Sequence, residues 1–155
     1  MRKGNLISIF FVGACFSTSL ALSSPMSNVI MVAPDQIKWV DLPLIPGAQI
    51  AILEGKMDKK GPITARIKFA PNTKIAAHWH PGIERVTVLS GTFNYGMGDK
   101  LDEGKTTALG AGSLIVMQPK MHHFAWTKDE TIVQLNVTGP WAIHYVNPAD
   151  DPRKK

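Results

Sequence analysis

The stretch AAHWHPGIERVTVLSG, residues 76 to 91, sets two histidines two positions apart and a carboxylate four positions after the second, then runs into β-branched residues. Side chains alternate across a strand, so His78 and His80 share one face while Trp79 takes the other. The Pro81-Gly82 pair bends the chain. Glu84 then opens a second strand in which Val86 and Val88 share its face and Arg85, Thr87 and Leu89 take the opposite one. If that shared face is interior, an unpaired carboxylate there costs several kcal/mol or is forced neutral. A cation held between the histidines and Glu84 removes the cost. A hydrogen-bonded polar core is the alternative, and it needs a separate buried partner for each of the three groups.

Outward from this stretch, the chain is a series of short β-type runs separated by turn residues. IKWV, QIAILEG, ITARIKFA, ERVTVLSG, TFNYGM, SLIVM, HHFAWT, TIVQLNVTG and WAIHYV are rich in β-branched and aromatic residues, and KMDKKGP, APNT, MGDKLDEGK and LGAG carry the turns. No amphipathic helix of ten or more residues stands out. Length allows one ordinary domain, and 45% hydrophobic with 19% charged residues is a globular composition. The predicted fold is all-β, a sandwich or closed double-sheet barrel of the jelly-roll kind.

Residues 1–23 read as a secretory signal peptide: Arg2 and Lys3 precede an apolar run that ends among small residues, with no acidic residue before Asp35. The run is broken by Gly13, Ser17, Thr18 and Ser19 and falls short of a membrane span, so no span is expected after processing. VGAC, residues 12 to 15, also resembles a lipoprotein cleavage box, which leaves a lipid anchor at Cys15 as an alternative. Either way the protein is expected in the periplasm or secreted. Residues 24–36 form a linker, 37–147 the domain and 148–155 a polar tail expected on the surface or frayed. Cys15 is the single cysteine, so processing beyond it leaves no disulfide, thiolate nucleophile or cysteine-rich zinc site. Removing Arg2 and Lys3 reduces the net charge from +5 to +3. The remaining lysines are scattered without interleaved aromatics, which argues against nucleic acid as a partner.

HWHPGIERVTVLSG, residues 78 to 91, resembles the first motif of the cupin superfamily: His-x-His, three residues, Glu, six residues, Gly. GSLIVMQPKMHH, residues 112 to 123, resembles the second, whose eleven-residue step from Gly112 reaches His123. Cupins commonly carry Pro and Gly where this chain has Gln118 and Lys120, and Asn where Thr127 stands. Alternation alone leaves the choice of histidine open, because His123 shares a face with Ala125 and Thr127 while His122 shares one with Phe124 and Trp126. The motif spacing favours His123. The resemblance, covering residues 37 to 147, implies a cupin double-stranded β-helix of the exported single-domain bacterial type. It further implies a metal site of His78, His80, Glu84 and His123, and usually a homodimer, for which Trp39, Trp79 or Phe124 are the outward aromatics. His144 is read as structural.

Three imidazoles and a carboxylate suit a divalent transition metal, Fe, Mn, Zn, Ni or Co, and disfavour calcium. Four protein donors on an octahedral ion leave two positions for water, a bidentate substrate or dioxygen. Alternation assigns a substrate pocket to Val86, Val88, Met117, Met121, Trp126, Gln134 and one of Phe93 or Tyr95. Such a wall suits a small organic molecule with one chelating group and, with no Lys or Arg facing inward, not a phosphorylated sugar. Three functions are open. One is a metal-dependent oxidoreductase of the dioxygenase type. A second is a non-catalytic small-molecule or metal-binding protein of the envelope. The third is an isomerase or hydrolase with the metal as Lewis acid, for which His122 is the candidate catalytic base.

Overall fold

The structure, a computed structural model, describes residues 29–154. The expected signal peptide, the possible anchor at Cys15 and the start of the linker lie outside the described residues. Eleven strands form among them: β1 (Val40–Asp41), β2 (Ala48–Glu54), β3 (Gly61–Phe69), β4 (Lys74–Trp79), β5 (Glu84–Ser90), β6 (Thr92–Met97), β7 (Thr107–Gly110), β8 (Leu114–Met117), β9 (His123–Trp126), β10 (Thr131–Gly139) and β11 (His144–Tyr145). They make a six-stranded sheet in the order β1-β2-β3-β10-β5-β8 and a five-stranded sheet in the order β11-β4-β9-β6-β7. The fold is all-β, two antiparallel sheets in a jelly-roll arrangement, and no described helix is long and apolar enough to cross a membrane.

Period-two patterning builds the larger sheet. In β3 Ile63, Ala65, Ile67 and Phe69 are buried while the residues between them are half-exposed. In β10 Val133, Leu135 and Val137 do the same opposite them. Glu84, Val86 and Val88 are the inward set of β5, and Arg85 and Leu89 face out, as alternation predicts. The smaller sheet contributes Ile75, Phe93 and Ala125 to the same core.

Three local features depart from the sequence reading. β7 occupies TALG, part of which reads as a turn because its Gly110 and the following Ala-Gly carry turn chemistry. Phe124 is 1% exposed, so it is not an outward aromatic; its ring lies on Gly96, where a Cβ would sit 2.3 Å from it, beneath the loop 98–105. The tail does not fray at 151–153. The Asp151 carboxylate is buried, accepts both Nε and Nη2 of Arg153 at 2.7 Å, and Arg153 donates onward to the Ile143 carbonyl.

Gly91 turns β5 into β6 with φ +74°, and a Cβ there would stand 2.4 Å from the Glu130 carbonyl oxygen. Left-handed backbone and a rigid clash combine at this position. Gly91→Ala is expected to lower stability by roughly 2–4 kcal/mol, read as a fall in the urea midpoint with unchanged slope.

Candidate metal centre

The site forms where the β4–β5 turn meets the start of β9. His78 pairs with His123 across the β4–β9 ladder, and Glu84 opens β5 beside Met117 of β8. The ladder between β4 and β9 is irregular: Ile75 stands opposite Ala125 and His78 opposite His123, so three residues of one strand span two of the other. This bulge around Ala76 and Ala77 lets Ile75 and His78, an odd number of residues apart, both line the interior. His80 follows the end of the strand and still points inward, 4% exposed.

His78, His80 and His123 bring one ring nitrogen each to within 4.8 Å of one another, all three side chains being buried. Each ring is oriented by a backbone carbonyl. Nδ1 of His78 bonds Ala76 O at 2.8 Å, Nδ1 of His80 bonds Ala142 O at 2.8 Å, and Nδ1 of His123 bonds Met121 O at 2.9 Å. A carbonyl only accepts, so each Nδ1 carries the hydrogen, which leaves Nε2 as the nitrogen turned toward the site. Fixing the tautomer through the distal nitrogen is how metal-binding histidines are held.

Glu84 is 5% exposed. Its Oε2 lies 3.1 Å from His80 Nε2 and 3.7 Å from His123 Nε2, and its Oε1 accepts the indole N–H of Trp141 at 3.3 Å. Lone pairs of Nε2 and a carboxylate at that distance repel unless a proton or a cation stands between them. Three nitrogen donors and one oxygen donor around a point fit a divalent transition ion.

Burial sets the protonation of the rings. It holds His78 well below the usual imidazole value, with further lowering by His123 and His80, and it lowers His123 against the opposing pull of the Met121 carbonyl and Glu84. Burial and then the Glu84 charge push the Tyr95 phenol up to about 12, so it keeps its proton.

The ligands border a cavity of about 40 Å³ lined otherwise by apolar side chains, with Trp141 and Tyr95 as the polar exceptions. A water needs ~10–15 Å³ and an organic-ligand pocket ~300 Å³ or more, so the space holds an ion and a few small atoms without movement. Val86, Met117 and Tyr95 line it, and so does Phe93, the alternative to Tyr95. Val88 packs into the core instead. Three more of the expected pocket residues are elsewhere. Gln134 is on the outer face of β10 between Arg66 and Asn136, because the inward phase there belongs to Val133 and Leu135. Trp126 points outward to Thr106 Oγ1, the phase opposite to His123 and Ala125. Met121 lies in the turn before β9, where alternation has no meaning. His122 is also outside the cavity, its side chain 39% exposed and its Nδ1 2.6 Å from Asp99.

The sequence reading takes residues 141–146 as a strand, whereas only His144–Tyr145 forms one, and it misses the role of the segment in closing the site. Trp141 stacks on His80 with centroids 5.1 Å apart, and Ile143 completes the wall. The Tyr145 hydroxyl donates to Leu44 O, and Val146 N donates to Ala77 O. His144 stacks on Trp79 at 4.2 Å, which accounts for both residues structurally. Most of this segment is irregular, so the strand reading gave Trp141 no inward phase; the one available signal was a large aromatic directly after Gly139-Pro140.

Residues 27–142 match the family described as ChrR Cupin-like domain. The chain belongs to this family. Among solved structures it is similar to the polyketide cyclase RemF from Streptomyces resistomycificus, with TM-score 0.62 and 21% identity over 80% of this chain and 89% of that one. An RmlC-like cupin from Shewanella frigidimarina gives TM-score 0.55 and 18% identity over 69% of this chain and 87% of that one. Salicylate 1,2-dioxygenase from Pseudaminobacter salicylatoxidans gives 0.52 and 15% over 64% of this chain and 30% of that one. These likenesses establish the cupin fold. No curated protein matches the chain. Lys120, at the position where the sequence comparison with cupin motifs expects Gly, adopts φ +65°, the left-handed backbone that favours glycine.

Because His78 and His123 are held neutral in the folded chain, the unfolded chain binds more protons below its own histidine value of 6.5. Stability then falls as pH drops through that value toward the lower folded ones. The urea midpoint of chelator-treated protein is expected to decline between about pH 7.5 and 5.5; a flat or rising midpoint would contradict burial as the cause.

Proposed function

We propose that the protein is an exported, metal-dependent oxidoreductase of the dioxygenase type acting on a small organic molecule. The observation that carries the reading is the buried convergence of three tautomer-fixed imidazoles and one carboxylate on a single point in an apolar cavity. His78, His80 and His123 would hold the ion through Nε2, with Glu84 as the fourth donor. The carbonyls of Ala76, Ala142 and Met121 keep the rings aimed, and Trp141 holds the far oxygen of Glu84. When bound, an iron or manganese ion supplies Lewis acidity and the one-electron chemistry that dioxygen requires. Four protein donors leave a six-coordinate ion room for further ligands, and the apolar walls exclude bulk water from them.

A non-catalytic binding role is favoured by one observation: apart from the metal-ligand set, no side chain lining the cavity is a general base. The same fact weakens the isomerase or hydrolase reading, since His122 faces Asp99 at the surface. The expected leader at 1–23 makes the periplasm or the exterior the proposed location, and a homodimer the proposed assembly.

Elemental analysis of protein purified without added metal is expected to find one iron or manganese per chain. His80→Ala should reduce that stoichiometry by tenfold or more at unchanged circular dichroism, as loss of one donor from a four-donor site does. His122→Ala should leave it unchanged. Oxygen uptake with a panel of small chelating organic compounds separates the oxidoreductase from the binding protein. Retained metal in His80→Ala would remove the basis of the assignment.

A further inference from the structure

Of the described side chains that line the cavity, Tyr95 and Trp141 alone are not buried; His78, His80, Glu84, His123 and the apolar walls all are. A path from solvent to the cavity has to run past residues that themselves reach solvent, so these two flank its mouth. Tyr95 is held on both sides, since it lies in β6 and pairs with Thr107 of β7 and with Ala125 of β9. Trp141 lies on irregular backbone ahead of the two-residue β11.

The backbone and the ring of Trp141 are attached in different ways. The backbone is pinned: Trp141 N donates to Met57 O at 2.9 Å, the Ala142 carbonyl accepts from His80 Nδ1 at 2.8 Å, and Ile143 is 1% exposed. The indole is held by a stack on His80, with centroids 5.1 Å apart and planes 21° from parallel, and by one bond to Glu84 Oε1. That bond, at 3.3 Å, is longer than the usual N–H to oxygen range. The side chain can therefore turn about its own χ angles while the segment and its tether on His80 stay in place. An indole N–H that reaches water regains an acceptor, so the turn leaves no buried donor unpaired.

Cavity size makes the turn necessary. A space of about 40 Å³ has no room for an organic molecule while the indole covers His80 and Glu84. Turning the ring outward enlarges the cavity and, in the same motion, withdraws the donor from Glu84 Oε1.

We infer that the Trp141 side chain is the gate of this cavity and the residue that sets the size of what enters it. Molecules of a few atoms reach the site with the indole in place. Larger ones enter only as it swings off His80, and the swing frees the far oxygen of Glu84. The gate stands over the cavity whatever lies beneath; its coupling to Glu84 rests on the metal reading above.

The probe is diethyl pyrocarbonate, a histidine-acylating reagent larger than the cavity, applied to the metal-free full chain with the modified peptides mapped by mass spectrometry. In wild type the exposed His122 and His144 should react fast, and His80 and His123 slowly. Trp141→Ala should speed modification of His80 by roughly tenfold or more, as removal of a protecting group does, while His122 and His144 keep their rates. Trp141→Leu carries the same expectation and covers the case in which the alanine variant does not fold. Trp141→Phe keeps a ring over His80 and loses the N–H, so His80 should stay slow while the visible bands of the cobalt(II)-loaded protein shift. Equal His80 rates in wild type and the alanine or leucine variant overturn the gate. Unchanged cobalt bands in the phenylalanine variant overturn the coupling to Glu84 and leave the gate standing. A wild type that takes up no cobalt overturns the metal reading and that coupling, and the histidine rates still decide the gate.

Discussion

Three imidazole lone pairs and a carboxylate gathered in an apolar interior repel one another unless a proton or a cation stands among them. Each group would be stabler apart, in water or against its own donor. The larger sheet delivers Glu84 on a strand whose other inward residues are Val86 and Val88, and the smaller sheet delivers His78 and His123 side by side on β4 and β9. The two shares face each other across the cavity, and the repulsion is relieved where they meet over a shared proton or cation. The three carbonyl tethers then determine which nitrogen faces inward, so the backbone selects donor chemistry as well as position.

The closing segment links this centre to distant parts of the chain. Between Trp141 and Val146 it supplies the indole that steadies Glu84, the carbonyl that steadies His80, and an apolar wall. Its own anchors lie on three sides: Met57 O, which accepts from Trp141 N; Leu44 O, which accepts from Tyr145; and the Arg153–Asp151 pair, which reaches Ile143. The tail that composition assigns to solvent therefore braces the site, because one carboxylate and one guanidinium within two residues form a bidentate pair, a kind of bond that composition does not record.

The donors were legible in the sequence because their spacing is dictated by strand geometry. His78 and His80 are one pleat apart, and Glu84 follows after a turn set by Pro81 and Gly82. Alternation also read β5 as it is, with Glu84, Val86 and Val88 inward, since this central strand buries one clean face. It failed where phase had to be carried across an irregularity or assigned by hand. Gln134 is placed outside by Val133 and Leu135, whose claim on the core is stronger. Trp126 and Phe124 share the face opposite His123, and Phe124 is buried there through Gly96, a close approach that a single strand read alone cannot disclose. Trp141 was read as part of a strand, but it precedes the two-residue β11, and an irregular backbone has no period from which its inward direction could be read.

The bulge in β4 bears on how this chain can change over evolutionary time. Removing one of Ala76 and Ala77 would restore an even ladder and still leave the histidine opposite His123. What disappears is the extra unit that bends the backbone where the Ala76 oxygen turns to the ring. The count of residues between Thr73 and His78 is therefore constrained, and so is the size of the side chain at Ala77, which is 2% exposed. Insertions and deletions in this short segment are less tolerable than substitutions.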